Sequence, residues 1–96
     1  MSYEVIWTRR ALRRLDEIGT YIAYENPAAA AKVVGRLIAA TERLAEYPQS
    51  GRPGRLNNTR ELVLADLPYI IPYRVIDDRV HIITVLHAAQ KWPFKR

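Results

Sequence analysis

An Asn–Pro pair at positions 26 and 27 constrains the fold of this chain more than any other feature. The residue before a proline is pushed out of the α region, so a helix arriving at Asn26 must stop there. The same pair starts the next one. Asn26 is a strong N-cap, and Pro27 suits the first helical position, where its missing N–H costs nothing. Upstream, Leu12, Leu15, Ile18, Gly19 and Ile22 recur at helical spacing behind a capping Thr8, with Arg9, Arg10, Arg13, Arg14, Asp16 and Glu17 on the other faces. Downstream, Ala28 to Glu46 carries Ala30, Val33, Val34, Leu37, Ile38, Thr41, Leu44 and Ala45 as its apolar stripe. Small residues (Ala28 to Ala31, Gly35, Ala39, Ala40) permit close approach of the two. The spacing predicts a helical hairpin.

Around that hairpin the pattern changes to strands. Tyr3, Val5 and Trp7 alternate with Ser2, Glu4 and Ile6 before the first helix. After the second, Tyr47 to Thr59 is dense in Pro, Gly and Asn and reads as a loop. Three strands follow, Arg60 to Ala65, Tyr69 to Ile76 and Val80 to His87, the last two joined through Asp77-Asp78. The order β-α-α-β-β-β predicts an α+β domain with the hairpin packed on one face of a small antiparallel sheet. A chain of 96 residues and 11.1 kDa is one domain spanning 1–96. It buries roughly 65% of its unfolded surface, enough to fold unaided. There are no cysteines, which excludes disulfides, thiolate metal sites and thiol nucleophiles. The opening MSYEVIWTRR lacks a signal-peptide core and no apolar run approaches spanning length, so the expectation is a soluble cytosolic protein without membrane contact.

With Asp77 and Asp78 as a two-residue turn, Ile76 pairs with Arg79, Val75 with Val80, Arg74 with His81 and Tyr73 with Ile82. Alternation then places Tyr69, Ile71, Tyr73, Val75, Val80, Ile82, Thr84 and Leu86 on one face, the seat for the helices. Ile70, Pro72, Arg74, His81, Ile83, Val85 and His87 fall on the other. An apolar patch rimmed by charge on that second face has the character of a binding surface.

Charge is unevenly spread. Residues 1–48 carry seven Lys/Arg against six Asp/Glu, and residues 49–96 carry eight against four. Twelve of the fifteen cations are arginine, whose planar fork suits phosphate, carboxylate and stacked bases. Two stretches contain no acid at all, 49–60 with Arg52, Arg55 and Arg60, and 87–96 with Lys91, Lys95 and Arg96. A polyanionic target or an acidic protein partner fits this balance. Chemistry-bearing motifs are sparse. No phosphate-cradling glycine loop, nucleophile elbow or paired-carboxylate site is present, and His81 and His87 are spaced too far apart for a metal, so neither metal nor cofactor is expected. His87 is the one candidate acid–base, but the register sets it about 20 Å along the strand from His81, the partner of Arg74.

Several strings taken in order resemble the RelE/ParE toxin superfamily of type II toxin–antitoxin modules: TRRALRRLDEI after the opening strand, YPQSGRPGR, TRELVL, PYIIPYRVIDDRVHIITVLHA and QKWP. The resemblance covers essentially the whole chain. It implies a growth-inhibiting toxin of the plasmid-stabilisation type, neutralised by a cognate antitoxin that wraps over it, as a hetero-oligomer or with homodimerisation. The superfamily divides in mechanism. Ribosome-dependent messenger-RNA nucleases of the RelE kind use a basic cluster with a C-terminal aromatic or His. Here Ile70, Gln90 and Arg96 fall where that pattern places two arginines and a tyrosine. Arg60, Arg74 and His87 would be the catalytic candidates for such a reaction. The VLHA ending is more similar to ParE-type chains, which poison DNA gyrase by binding. For that activity Arg52, Arg55, Lys91, Trp92 and Lys95 are the implied target-contacting residues. The resemblance favours the ParE-like reading, with messenger-RNA cleavage on the ribosome as the alternative and a decayed, non-toxic relative as a third.

Overall fold

The computed structural model describes residues 2–89. Its elements run β1 (Glu4–Trp7), α1 (Arg9–Ala23), α2 (Pro27–Glu42), a 3-10 turn at Arg43–Ala45, β2 (Arg52–Pro53), β3 (Arg60–Val63), β4 (Tyr69–Ile76), β5 (Arg79–Ile82) and β6 (Leu86–His87). Both helices start as the sequence dictates. Thr8 Oγ1 accepts from Ala11 N at 3.2 Å, Asn26 Oδ1 accepts from Ala29 N at 3.0 Å, and Pro27 opens α2. The Thr8 hydroxyl also donates to Ile82 O at 2.7 Å, so one side chain caps α1 and ties it to the sheet.

The sheet runs β1-β5-β4-β3-β2, with β6 added alongside β4. The class is α+β, as expected, but the sheet is mixed: β1 lies parallel to β5, Val5 opposite Val80. A parallel pair needs a long crossover, and here the helical hairpin begins one that carries the chain over a single face. The β4–β5 register matches the turn-based expectation at every position, with Asp77 at φ 55° in the left-handed region that aspartate tolerates.

Beyond Ile82 the register departs from expectation. Tyr73 faces Ile82, yet Ile70 faces Leu86, so residues 83–85 oppose only Ile71 and Pro72. That extra residue is a β-bulge, and Pro72 explains it. Pro72 O accepts from Ile83 N at 2.9 Å, and a residue's N and O point the same way in an antiparallel pair. The proline nitrogen, with no hydrogen to donate, therefore faces the bulged segment, where a regular ladder is not required. The bulge inverts the faces that follow it. Val85 enters the core instead of the opposite face. Leu86 pairs with Ile70 on the face away from the helices, against expectation, and His87 moves to the side of Tyr69. Because Ile70 and Val85 are buried, the expected exposed apolar patch of Ile70, Ile83 and Val85 is not there.

The core is Ala11, Leu15, Ile18, Leu37 and Leu44 from the helical layer against Ile71, Tyr73, Val80, Ile82 and Val85 from the sheet. Leu12 (52% exposed) and Ile38 (38%) lie outside it, although helical spacing grouped them with the stripe. Ala11 is fully buried and takes the core place expected of Leu12. Trp7 Nε1 donates to Thr41 Oγ1 at 3.2 Å, which joins β1 to α2. Arg36 holds Asp66 with two bonds of 3.0 and 3.1 Å, fixing α2 to the β3–β4 connection. No helix among the described residues is long and apolar enough to cross a membrane.

Candidate functional site

The basic stretch before β3 is built around one acid. Glu61 pairs with Arg52 on β2 and with Pro72 on β4, and its side chain is 1% exposed. Arg60 and Leu62 pair with Tyr73 and Ile71, which face the helices, so alternation sends Glu61 to the other face. There its carboxylate collects donors. Arg52 Nη2 and Nε both reach Oε1, at 2.9 and 3.2 Å. The Arg55 backbone N–H donates to Oε2 at 3.2 Å, and the Arg55 guanidinium Nε stands 3.7 Å from the same oxygen. A buried carboxylate without such partners would destabilise the fold by several kcal/mol, so charge and loop conformation are tied together.

The rest of the loop is shaped by close backbone approaches. A Cβ on Gly51 would come 2.7 Å from the Tyr73 ring and 2.9 Å from Glu61 O. A Cβ on Gly54 would overlap Thr59 Oγ1. Gly54 N donates to Thr59 O at 2.8 Å, closing the loop, and Asn58 takes φ 60° within it. The Tyr73 hydroxyl donates to Pro48 O at 2.7 Å and accepts from Gly51 N at 2.9 Å. Burial pushes the Tyr73 phenol above its ordinary range, with the Gly51 hydrogen bond and Arg60 opposing. Arg60 is committed to the same loop, its Nη1 donating to Gly51 O at 2.8 Å and Gln49 O at 3.3 Å.

The fold thus gathers Arg52, Arg55, Arg60 and Glu61 at one end of the sheet. It separates the nuclease candidates. Arg74 lies on the face away from the helices, opposite His81, with no hydrogen bond or ion pair among the described residues. Arg60 lies in the register that faces the helices. His87 sits opposite Tyr69, its ring edge-on at 5.7 Å between centroids, and its Nδ1 accepts from Ala89 N at 3.2 Å. Tyr69 is five residues from Arg74 along β4, or about 17 Å at the strand rise. The bulge also puts His87 on the opposite face from Arg74. Lys91, Trp92 and Lys95 lie outside the described residues. One side chain escaped the sequence reading of the site. Glu61 was hidden by its position in a strand, although it is the first acid after an acid-free basic run. His81 stands beside the unengaged Arg74, where the turn-based register placed it. Among the described residues no cluster of three His, Asp or Glu could hold a metal.

A second feature lies on the outer side of the helices. Leu12, Gly19, Thr20 and Ala23 of α1 and Ala31 and Val34 of α2 line an open apolar groove of about 440 Å³. Exposed Tyr21 and Tyr24 also stand on the C-terminal part of α1 and just beyond it.

Residues 5–92 match the family described as the ParE toxin of the type II toxin–antitoxin system parDE. The chain belongs to the ParE toxin family. It is a toxin of the broader RelE/ParE group of type II toxin–antitoxin modules. Among its relatives, Y4kP of Sinorhizobium fredii is 67% identical over 87 residues, covering 91% of this chain and 90% of that protein. Toxin RelE2 of Caulobacter vibrioides is 45% identical, covering 91% and 97%. The solved structure of a chromosomal ParDE system from P. aeruginosa superposes with a TM-score of 0.81 at 27% identity, over 90% of this chain and 96% of that one. A free-state mutant of the E. coli toxin RelE shares the fold at a TM-score of 0.69, 22% identity and coverage of 93% and 86%. The ParE-family fold thus carries relatives bearing both names.

Proposed function

We propose that this ParE-family toxin inhibits growth as a binding poison of DNA gyrase and is held inactive by a cognate antitoxin. The observation that carries this reading is the separation of Arg74 from His87, about 17 Å along β4 and on opposite sheet faces. Cleaving RNA through its 2′-OH needs a base, a cation on the phosphoryl group and an acid on the leaving oxygen, all at one phosphodiester. Arg60 is engaged with backbone carbonyls, Arg74 stands on one face and His87 on the other, so these three cannot meet there. A binding mechanism asks less of them. Guanidinium groups held by Glu61 present ordered hydrogen-bond donors to a protein surface, and complementary charge orients docking. The tail cations Lys91 and Lys95 with Trp92 would extend the contact.

The antitoxin reading rests on the groove between α1 and α2 and on the net charge of +5. An acidic, partly disordered chain that folds on contact would lay an amphipathic helix there and spread over the basic half. Solved neighbours of this fold include the intact RelBE complex of E. coli, at 21% identity. The alternative, ribosome-dependent cleavage of messenger RNA, is favoured by the 45% identity to a protein named RelE2 and by Arg74 standing unengaged beside His81.

Controlled expression in a bacterial host separates the two. A gyrase poison produces DNA breaks and an SOS response before bulk translation falls. Early translation arrest with intact DNA would overturn the gyrase reading and favour the nuclease.

A further inference from the structure

The loop that gives this chain its most basic appearance is, among the described residues, where a buried acid answers the arginines. We propose that Glu61 is an internal counter-ion that withholds Arg52 and Arg55 from polyanions, making the RPGR loop a poor nucleic-acid contact despite its sequence.

Four observations carry this. Glu61 is 1% exposed, while the Arg52 and Arg55 side chains remain 50% and 38% exposed, so the acid is reached from within and the cations from without. Arg52 spends its Nε and Nη2 donors on Oε1, one of the two guanidinium edges that can grip a phosphate bidentately. Arg55 donates its backbone N–H to Oε2 at 3.2 Å, and its guanidinium Nε stands 3.7 Å from the same oxygen, so both the loop backbone and the side-chain charge face Glu61. The three groups together present one net positive charge, not two. Phosphate affinity rests on neutralising cations that release counterions from the nucleic-acid backbone, so a cation already neutralised contributes little.

Arg43 supplies the contrast. It is exposed and makes no side-chain hydrogen bond or ion pair among the described residues. It should count fully toward a phosphate backbone, whereas Arg52 and Arg55 together should count as one. Glu46, exposed and without a side-chain partner among the described residues, is the matching acid.

The experiment measures binding of a fluorescent 12-nucleotide oligothymidylate by anisotropy over a salt series, using the full chain. Glu61→Gln keeps the shape and one acceptor but removes the charge, and Glu46→Gln changes net charge equally at an exposed site. With the melting transition of Glu61→Gln confirmed, its log–log salt slope should steepen by roughly 0.7, one added phosphate contact. Glu46→Gln should leave the slope within error. Equal slopes for the two variants would overturn the proposal. If Glu61→Gln does not fold, the second pair decides. Arg43→Gln should flatten the slope by about 0.7, and Arg52→Gln with Arg55→Gln together by no more than that, since the pair presents one uncompensated charge. A double-variant effect twice that of Arg43→Gln would show both loop arginines available, and the proposal would fail.

Discussion

The Tyr73 hydroxyl accepts the Gly51 backbone N–H at 2.9 Å, across a gap too narrow for any side chain at position 51. The same hydroxyl donates to Pro48 O, so one buried phenol fixes both ends of the turn that delivers the chain into β2. Tyr73→Phe leaves a carbonyl and an N–H without their partner, which should destabilise the domain by about 1–3 kcal/mol. Burial raises the Tyr73 pKa above that of the unfolded chain, so the unfolded state loses its proton first as pH rises. Stability is therefore complete below about pH 10 and declines above it. Urea unfolding from pH 7 to 11 should show that decline in the native chain and a shallower one in Tyr73→Phe.

Two glycines test the geometry in opposite directions. A Cβ at Gly54 overlaps Thr59, so Gly54→Ala should open the loop and lower the melting temperature. At Gly35, within α2, a Cβ meets nothing within 4 Å. Gly35→Ala should then stabilise by about 0.5–1 kcal/mol through helix propensity and reduced unfolded-state entropy. A destabilising Gly35→Ala would contradict the placement of that face of α2.

Leucines on the helical hairpin divide by burial, not by spacing. Leu37 is fully buried, and Leu37→Ala should cost about 2–5 kcal/mol. Leu15, at 8% exposure, should behave alike. Leu12 is half exposed in the outer groove, and Leu12→Ala should shift stability by no more than about 0.5 kcal/mol. If the groove seats the antitoxin, Leu12→Ala should weaken co-purification with the cognate antitoxin. A variant melting normally and binding that partner normally would remove the groove from the interface.

What the sequence revealed of this fold was local in origin. Asn26-Pro27 set the helix boundary and Asp77-Asp78 the hairpin register, since caps and tight turns act over a few residues. The parallel pairing of β1 with β5 joins residues about seventy-five positions apart, and nothing local in Tyr3 to Trp7 distinguishes a parallel edge from an antiparallel one. The bulge was partly legible. Pro72 in the middle of a strand required an interruption in the ladder on its nitrogen side, and one extra residue there reverses every face beyond it. That single residue moved His87 away from the face of Arg74. Glu61 was obscured because an acid beside arginines in sequence reads equally as a solvated ion pair. Its burial follows only from the strand pairing that stacks β2 against it.

The mechanism itself is open to a comparison of variants in one growth assay. His87 stands at the end of β6, edge-on to Tyr69 and on the far face from Arg74. If the toxin works by docking, His87→Ala removes no proton transfer and toxicity should stay within a few-fold. Arg74→Ala should behave similarly. Charge reversal in the tail, Lys91→Glu with Lys95→Glu, should abolish toxicity, because opposed charge at a docking surface costs orientation and association rate. A nuclease inverts this order, since loss of a general acid–base typically lowers rate by about 10²–10⁴-fold. Each variant needs its melting temperature and antitoxin binding checked, so that lost fold is not mistaken for lost function. A folded, antitoxin-binding His87→Ala that no longer arrests growth would mean His87 reaches the reacting phosphate by a rearrangement of β6, and the gyrase reading would fall.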